Sequence, residues 1–271
     1  MPRLTVPGAE LSFETDGRAS APALLLLPTG VATMRMWDPQ VPELAEGHFV
    51  VRMDPRGSGA TTADDAPYSD RDDVRALLDH LGVERATIVG AGRGGTIGLD
   101  LALESPERVA GLVVVGGGPS GFPEAALTSE EHRRIDELDV AIGASDTALL
   151  MRLETALWAA GPLRLESNLD PEFVALAHEL NAPNAIHADH PARPEPLDPP
   201  AYDRLGDIRV PALVVVGDYD LSAARAQYEY LLDALPDATG FRLREAAHLV
   251  SVERSREFTH VLLDWLGERG L

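Results

Sequence analysis

Short apolar runs alternate along this chain with amphipathic segments of helical length, and this alternation limits the possible folds more than any other feature. Each run has the length and composition of a buried strand and ends in turn residues. The runs are ALLLLP (23–28), FVVRMD (49–54), ATIVG (86–90), GLVVVGG (111–117) and VPALVVVG (210–217). Intervening segments such as DRDDVRALLDHLG (70–82) place their apolar residues on one helical face. The pattern predicts an α/β fold with a mostly parallel central sheet and helices on both faces.

A different pattern occupies residues 119–200. Helical stretches separated by glycine, proline and asparagine lead into the proline-rich segment HADHPARPEPLDPP (187–200). The first of these stretches opens with a capping box from Thr128 to Glu131. We therefore predict a core formed by residues 1–118 and 201–271, into which residues 119–200 are inserted as a helical cap.

The charge and the residue composition limit the partners of the chain. Its 44 acidic residues outnumber 23 basic ones, and the net charge of −21 repels phosphate backbones and anionic membrane surfaces. We expect a small-molecule substrate, no nucleic acid and no membrane, and the oligomeric state stays open. The chain has no cysteine, which is typical of a cytoplasmic protein. We also see no signal peptide and no run of roughly 18 apolar residues.

Five motifs occur in an order that resembles the α/β-hydrolase fold family. They are LLLLPTG…MW (24–37), VVRMDPRGSG (50–59), SPERVAGLVVVGG (105–117), DRLGDIRVPALVVVGDYD (203–220) and REAAHLVSVERSREFTHVLLDWL (244–266). The resemblance covers nearly the whole chain outside 119–200. It implies that His248 is a catalytic base and that Asp220, in preference to Asp218, is its acid partner. It also implies an oxyanion hole made by backbone N–H groups of Arg93 and of the stretch Thr29–Gly30.

The resemblance breaks down at the strand-to-helix turn GAGRGG (90–95). The family places a nucleophilic serine in the middle of G-x-S-x-G-G, and this chain has Gly92 at that position. The turn needs a positive φ, which costs a serine roughly 1–3 kcal/mol and a glycine almost nothing. We therefore expect the turn to form without a hydroxyl group. Other serines near predicted loops are interpreted as cap or turn residues and not as substitutes: Ser58, Ser120, Ser222 and Ser251.

The retained base and acid predict a general-base enzyme that works without a covalent step. His248, oriented by Asp220, would take a proton from a substrate atom or a bound water. We expect a small, largely apolar carbonyl compound that is cyclised, isomerised, cleaved by elimination or decarboxylated. One alternative is hydrolysis by water that His248 activates directly, and another is a catalytically silent ligand-binding protein. Met34, Trp37 and Trp158 are the predicted lining of the substrate pocket.

Two weaker motifs suggest other ligands. GAGRGG also fits the dinucleotide fingerprint G-x-G-x-x-G, but the next strand, LVVVGGGPSG, brings no acidic residue for a ribose hydroxyl. His187, Asp189 and His190 resemble metal ligands, but the sequence supplies no further ligand close to them. We therefore expect neither a metal nor an organic cofactor.

Overall fold

The computed structural model of the protein describes residues 1–188 and 193–271, and its central element is a sheet. The strands are β1 (Arg3–Val6), β2 (Ala9–Asp16), β3 (Ala23–Leu27), β4 (Phe49–Asp54), β5 (Thr62–Ala63), β6 (Ala86–Ala91), β7 (Val109–Val115), β8 (Ala212–Gly217) and β9 (Ala238–Leu243). Their order is β1-β2-β4-β3-β6-β7-β8-β9, with β5 paired to β2. β1 and β2 form an antiparallel hairpin, β2 pairs antiparallel with β4, and every pairing from β4 to β9 is parallel.

Helices cover both faces of this sheet, so the predicted α/β fold is confirmed. They are α1 (Val41–Gly47), α2 (Asp70–His80), α3 (Arg93–Glu104), α4 (Ser129–Gly143), α5 (Thr147–Trp158), α6 (Pro171–Asn181), α7 (Ser222–Ala234), α8 (Val250–Glu253) and α9 (Ser255–Arg269). Short 3₁₀ turns link several of them. Within the described ranges, no helix is long and apolar enough to cross a membrane.

The leucines of β3 show why the strands read as continuous apolar runs. Successive side chains of a strand point to opposite faces of the sheet. Leu25 and Leu27 accordingly pack into the core under α2, α3 and α7. Leu24 and Leu26 pack into the second core, on the face covered by α1 and α9. All four leucines are fully buried because both faces of the sheet are covered.

Helix α3 begins earlier than the sequence indicates. The apolar pattern predicts a helix over 96–109, whereas α3 begins at Arg93 and ends at Glu104. Glycine has a low helix propensity, so the glycines in the first turn of α3 give no helical signal in the sequence. Packing explains the glycine there, because a Cβ atom on Gly94 would lie 2.5 Å from the backbone oxygen of Leu27. The first turn of α3 therefore approaches β3 so closely that only glycine fits at position 94.

The chain between β7 and β8 contains α4, α5 and α6, and Ser120 connects its two ends. The hydroxyl of Ser120 donates a 2.6 Å hydrogen bond to Asp100 of α3 and accepts one of 3.0 Å from the N–H of Ala201. The carbonyl of Ser120 accepts another from the N–H of Tyr202. These bonds close the base of the inserted segment against α3. The division of the chain at residues 119 and 200 stays a prediction.

The variant Asp100→Asn is expected to weaken the pH dependence of stability. Burial raises the pKa of Asp100 to about 6, although Ser120 and Arg71 favour its ionised form. The carboxyl group of Asp100 therefore binds its proton more tightly in the folded state than in the unfolded state. This group therefore lowers the free energy of unfolding by about 3 kcal/mol between about pH 4 and pH 7. Urea unfolding at both pH values should show a smaller fall in the variant, and an equal fall in the two proteins would contradict the assignment.

Candidate active site

The turn between β6 and α3 is built from glycine. Gly92 has a φ of 47° and a ψ of −116°, which confirms the positive φ predicted for it. Its N–H donates to the carbonyl of Val115, so the turn is fixed to the end of β7. A Cβ atom on Gly90 would lie 2.2 Å from backbone atoms of Gly94. The turn is therefore tight on both sides, and Gly92 stands at its tip.

His248 and Asp220 meet beside this turn, as the sequence predicts. His248 lies in the loop between β9 and α8, and Asp220 follows β8. The Nδ1 atom of His248 is 3.0 Å from Oδ2 and 3.2 Å from Oδ1 of Asp220. The N–H of Leu221 donates to Oδ1 over 2.8 Å and holds the carboxylate in place. The pair is almost fully buried, His248 being 5% and Asp220 2% exposed.

The contact with Asp220 determines which ring nitrogen of His248 can act as a base. A carboxylate only accepts hydrogen bonds, so Nδ1 carries the proton and Nε2 is left as the acceptor. Trp158 supports this ring: the two ring centroids are 4.8 Å apart, and the N–H of His248 donates to the carbonyl of Trp158. Asp218, the other carboxylate considered, instead accepts a 3.0 Å hydrogen bond from Arg242 near the surface.

Thr29, which follows β3, contacts the second ring nitrogen of His248. Its Oγ1 atom lies 3.0 Å from Nε2 of His248. A Cβ atom placed on Gly92 would lie 2.5 Å from this oxygen and 2.9 Å from Nε2. The hydroxyl of Thr29 therefore occupies space that a side chain at position 92 would need. The sequence predicts only a backbone role for Thr29, and its side-chain contact with His248 is found in the structure alone.

Backbone donors lie near the same point. Arg93 is the first residue of α3, and the first N–H groups of a helix have no acceptor within the helix. Among the described residues, neither the N–H of Arg93 nor that of Gly30 donates to another group. The guanidinium of Arg93 binds the carbonyl of Arg56 and the carboxylate of Asp70 instead of the cavity. The side chain of Arg93 therefore stabilises the turn, and the backbone N–H group of Arg93 is available to a ligand.

A cavity of about 440 Å³ opens onto these groups. Its lining includes Thr29, Gly30, Gly92, Arg93 and His248 from the core, with Glu154 and Trp158 from α5. Burial raises the pKa of the Glu154 carboxyl, and a 2.9 Å hydrogen bond from Asn181 opposes this shift. Gln227 of α7 adds an amide on another side. A small ligand in this cavity would meet an apolar wall, the imidazole and a few polar groups.

Two residues predicted to line the pocket lie elsewhere. Trp37 is wholly buried and packs on Phe258 of α9, with ring centroids 5.9 Å apart. Met34 is 1% exposed, and its N–H donates to the buried carboxylate of Asp54. Both belong to a 3₁₀ turn, Met34–Trp37, that directs its apolar side chains into the core. The sequence pattern shows that these residues are apolar but not which way the turn faces.

The remaining histidines offer no metal centre in the described part of the chain. There, no cluster of three or more histidine, cysteine, aspartate or glutamate residues could hold a metal ion. The ring of His187 contacts the carbonyl of Gly59, whereas Asp189 and His190 lie outside the described residues. His178 lies 3.0 Å from Glu166, both within the inserted segment, and does not line the cavity.

Comparison with known proteins agrees with this architecture. The chain is 34% identical over 264 residues to "Putative carbamate hydrolase RutD" of Variovorax paradoxus, with 94% of this chain and 96% of the relative covered. It is 28% identical over 271 residues to 3-oxoadipate enol-lactonase 2 of Acinetobacter baylyi, with coverage of 96% and 94%. The crystal structure of the enol-lactonase from Burkholderia xenovorans superposes with a TM-score of 0.75 at 26% identity, over 98% of this chain and 100% of that one.

The family assignment rests on the extent of these matches. The family model for the alpha/beta hydrolase fold matches residues 22–255, which is most of the chain. Relatives named as hydrolases match over nearly their full length. The chain belongs to the alpha/beta hydrolase fold family.

Proposed function

We propose that this protein is a hydrolase of small carbonyl compounds in which His248 is the general base. The observation that carries the proposal is the placement of His248, which lines the cavity with Nδ1 bound to Asp220 and Nε2 in contact with Thr29, another lining residue. A histidine in this arrangement can accept a proton on Nε2, and its carboxylate partner stabilises the resulting cation. The N–H groups of Gly30 and Arg93 supply stabilisation for a developing oxyanion.

The substrate class follows from the cavity and the relatives. A cavity of about 440 Å³ admits a small metabolite but not a polymer. The relatives are named for a carbamate and for an enol-lactone, and each of these substrates has a carbonyl carbon bonded to a heteroatom. We therefore propose a small lactone, ester or carbamate as the substrate. A cytoplasmic location is part of this proposal and comes from the cysteine-free sequence.

A non-hydrolytic reaction is the second candidate, and Gly92 is the observation that favours it. We interpret Gly92 as standing where the family has its nucleophilic serine, so an acyl-enzyme cannot form at the strand-to-helix turn. His248 could then remove a proton from carbon, and the two N–H groups would stabilise an enolate. Elimination, isomerisation, cyclisation and decarboxylation all follow from such a site. A silent binding role has less support, because burying an unused ionisable pair has a cost in free energy.

A substrate panel with a histidine variant tests the hydrolytic proposal. Acid release from small lactones, aryl and alkyl esters and carbamates would be followed with the wild type, His248→Gln and His178→Gln. His178 provides a matched control, because it lies outside the cavity. We expect at least one panel member to be hydrolysed by the wild type and His178→Gln and not by His248→Gln. Equal rates of hydrolysis in all three proteins would contradict the proposal, whereas no hydrolysis of any panel member by the wild type would overturn it in favour of the second candidate.

A further inference from the structure

We propose that Thr29 is the nucleophile of this enzyme and that it forms an acyl-threonine intermediate. The inference rests on the proposed role of His248 as a base and names the hydroxyl on which that base acts. The Oγ1 atom of Thr29 is 3.0 Å from Nε2 of His248, within the range for proton transfer from a nucleophile to its base. Thr29 also lines the cavity in which the substrate would lie.

The position of this hydroxyl relative to Gly92 supports the assignment. A Cβ atom on Gly92 would lie 2.5 Å from Oγ1 of Thr29. The two positions therefore compete for one volume next to His248, and the oxygen in that volume belongs to Thr29, which follows β3, and not to residue 92. The available N–H groups of Gly30 and Arg93 flank the two positions, one following Thr29 and the other following Gly92 in the chain.

The backbone favours a hydroxyl at position 29 over one at position 92. Gly92 has a φ of 47°, and a side chain in such a conformation costs roughly 1–3 kcal/mol. Within the described ranges, the non-glycine residues with positive φ are Ser145 and Glu245, so Thr29 is free of this strain. A hydroxyl at position 29 instead of position 92 keeps an oxygen beside His248 without a strained backbone.

The other hydroxyl groups that could compete have partners elsewhere or lie outside the cavity. Thr96 lines the cavity, but its hydroxyl donates 2.8 Å to the carbonyl of Gly118. None of the serines near the predicted loops lines the cavity. Ser58 donates to Ala32, Ser120 to Asp100 and Ser222 to Glu131, and Ser251 is fully buried outside the cavity lining.

The reaction proceeds in two balanced halves. His248 takes the proton of the Thr29 hydroxyl on Nε2 while Oγ1 bonds to the substrate carbonyl carbon, whose oxygen becomes an oxyanion. The tetrahedral species collapses, the bond to the leaving group breaks, and the leaving group takes the proton from Nε2. Water then attacks the acyl-threonine, giving its proton to Nε2. Oγ1 leaves with that proton, which releases the acid and restores Thr29.

Covalent labelling of the full-length protein tests this inference. A fluorophosphonate probe reacts with an activated hydroxyl, and the label can be located by mass spectrometry of peptides. The sequence alone predicts no labelling, because Gly92 has no oxygen, whereas Thr29 as nucleophile predicts one adduct on Thr29. Thr29→Ala should not be labelled, and Thr29→Ser should be, since serine keeps the hydroxyl. Thr33→Ala, in the same loop, is the matched control and should be labelled like the wild type.

A kinetic readout separates this inference from the proposed function. With a substrate identified in the panel, Thr29→Ala should lose turnover at least as strongly as His248→Gln, and Thr29→Ser should recover it. A missing adduct, or an adduct at another residue, would overturn the nucleophile while His248-dependent hydrolysis still supported the base. Hydrolysis that is independent of His248 would instead overturn the proposed function itself.

Discussion

Asp220→Asn is expected to lower turnover by a factor on the order of 10⁴ without unfolding the protein. The Asp220 carboxylate accepts the hydrogen of Nδ1 over 3.0 Å and thereby leaves Nε2 of His248 unprotonated. An asparagine can present its NH₂ group to Nδ1 and select the other tautomer, in which Nε2 carries the proton and cannot act as a base. Loss of the negative charge also removes the stabilisation of the imidazolium ion.

The neighbouring carboxylate provides the control for this prediction. Asp218→Asn makes the same chemical change two residues earlier, at a side chain that binds Arg242 and not His248. The measurements are kcat on the identified substrate and the urea midpoint of each variant. We expect wild-type kcat in Asp218→Asn and similar midpoints in all three proteins. Wild-type kcat in both variants would show that the carboxylate of Asp220 does not orient the base.

Asp220 and His248 could be predicted from the resemblance to the family, and the topology explains why they meet. Parallel strands end at the same edge of the sheet, so residues that follow β8 and β9 must lie close together. The motifs around both residues also keep the family order, and their hydrogen bond at 3.0 Å agrees with it. The fold could also be predicted, because continuous apolar runs such as those of β3 and β8 are typical of strands that are covered on both faces.

Side-chain direction could not be predicted from the same patterns. Trp37 and Met34 are apolar residues after a predicted loop, and such residues suit a pocket or a core equally well. The structure places them in the core because the turn Met34–Trp37 is fixed by its N-cap Thr33 and by the bond from Met34 to Asp54. Both interactions depend on contacts between residues far apart in the sequence, which periodicity does not reveal.

The contact of Thr29 with His248 could not be found from the sequence for a related reason. The two residues are 219 positions apart, and the relevant geometry involves a third residue, Gly92. Only the sheet order makes the relation visible, because the strand before Thr29 and the strand before Gly92 are neighbours. Thr29 follows one of these strands and carries a hydroxyl, and Gly92 follows the other and has no side chain. This arrangement fits the proposed exchange, in which the nucleophilic hydroxyl stands at position 29 instead of position 92.

That exchange leads to a prediction for Gly92→Ser, which is expected to destabilise the protein and to displace the Thr29 hydroxyl. The strained φ contributes about 1–3 kcal/mol. The new Cβ, at 2.5 Å from Oγ1 of Thr29, contributes about as much again through overpacking. Urea unfolding measures the loss of stability, and peptide mapping after fluorophosphonate treatment should show weaker labelling of Thr29.

The double variant Gly92→Ser with Thr29→Gly is expected to recover part of this loss, because it removes the side chain that the new serine meets. A double-mutant cycle with both single variants isolates the coupling, since contacting residues deviate from additivity by about 0.5–3 kcal/mol. The φ strain at position 92 stays, so recovery should be incomplete. The label should move to Ser at position 92, next to the same Nε2 atom of His248. Additive losses, with no label at either position, would show that residues 29 and 92 do not share one oxygen site.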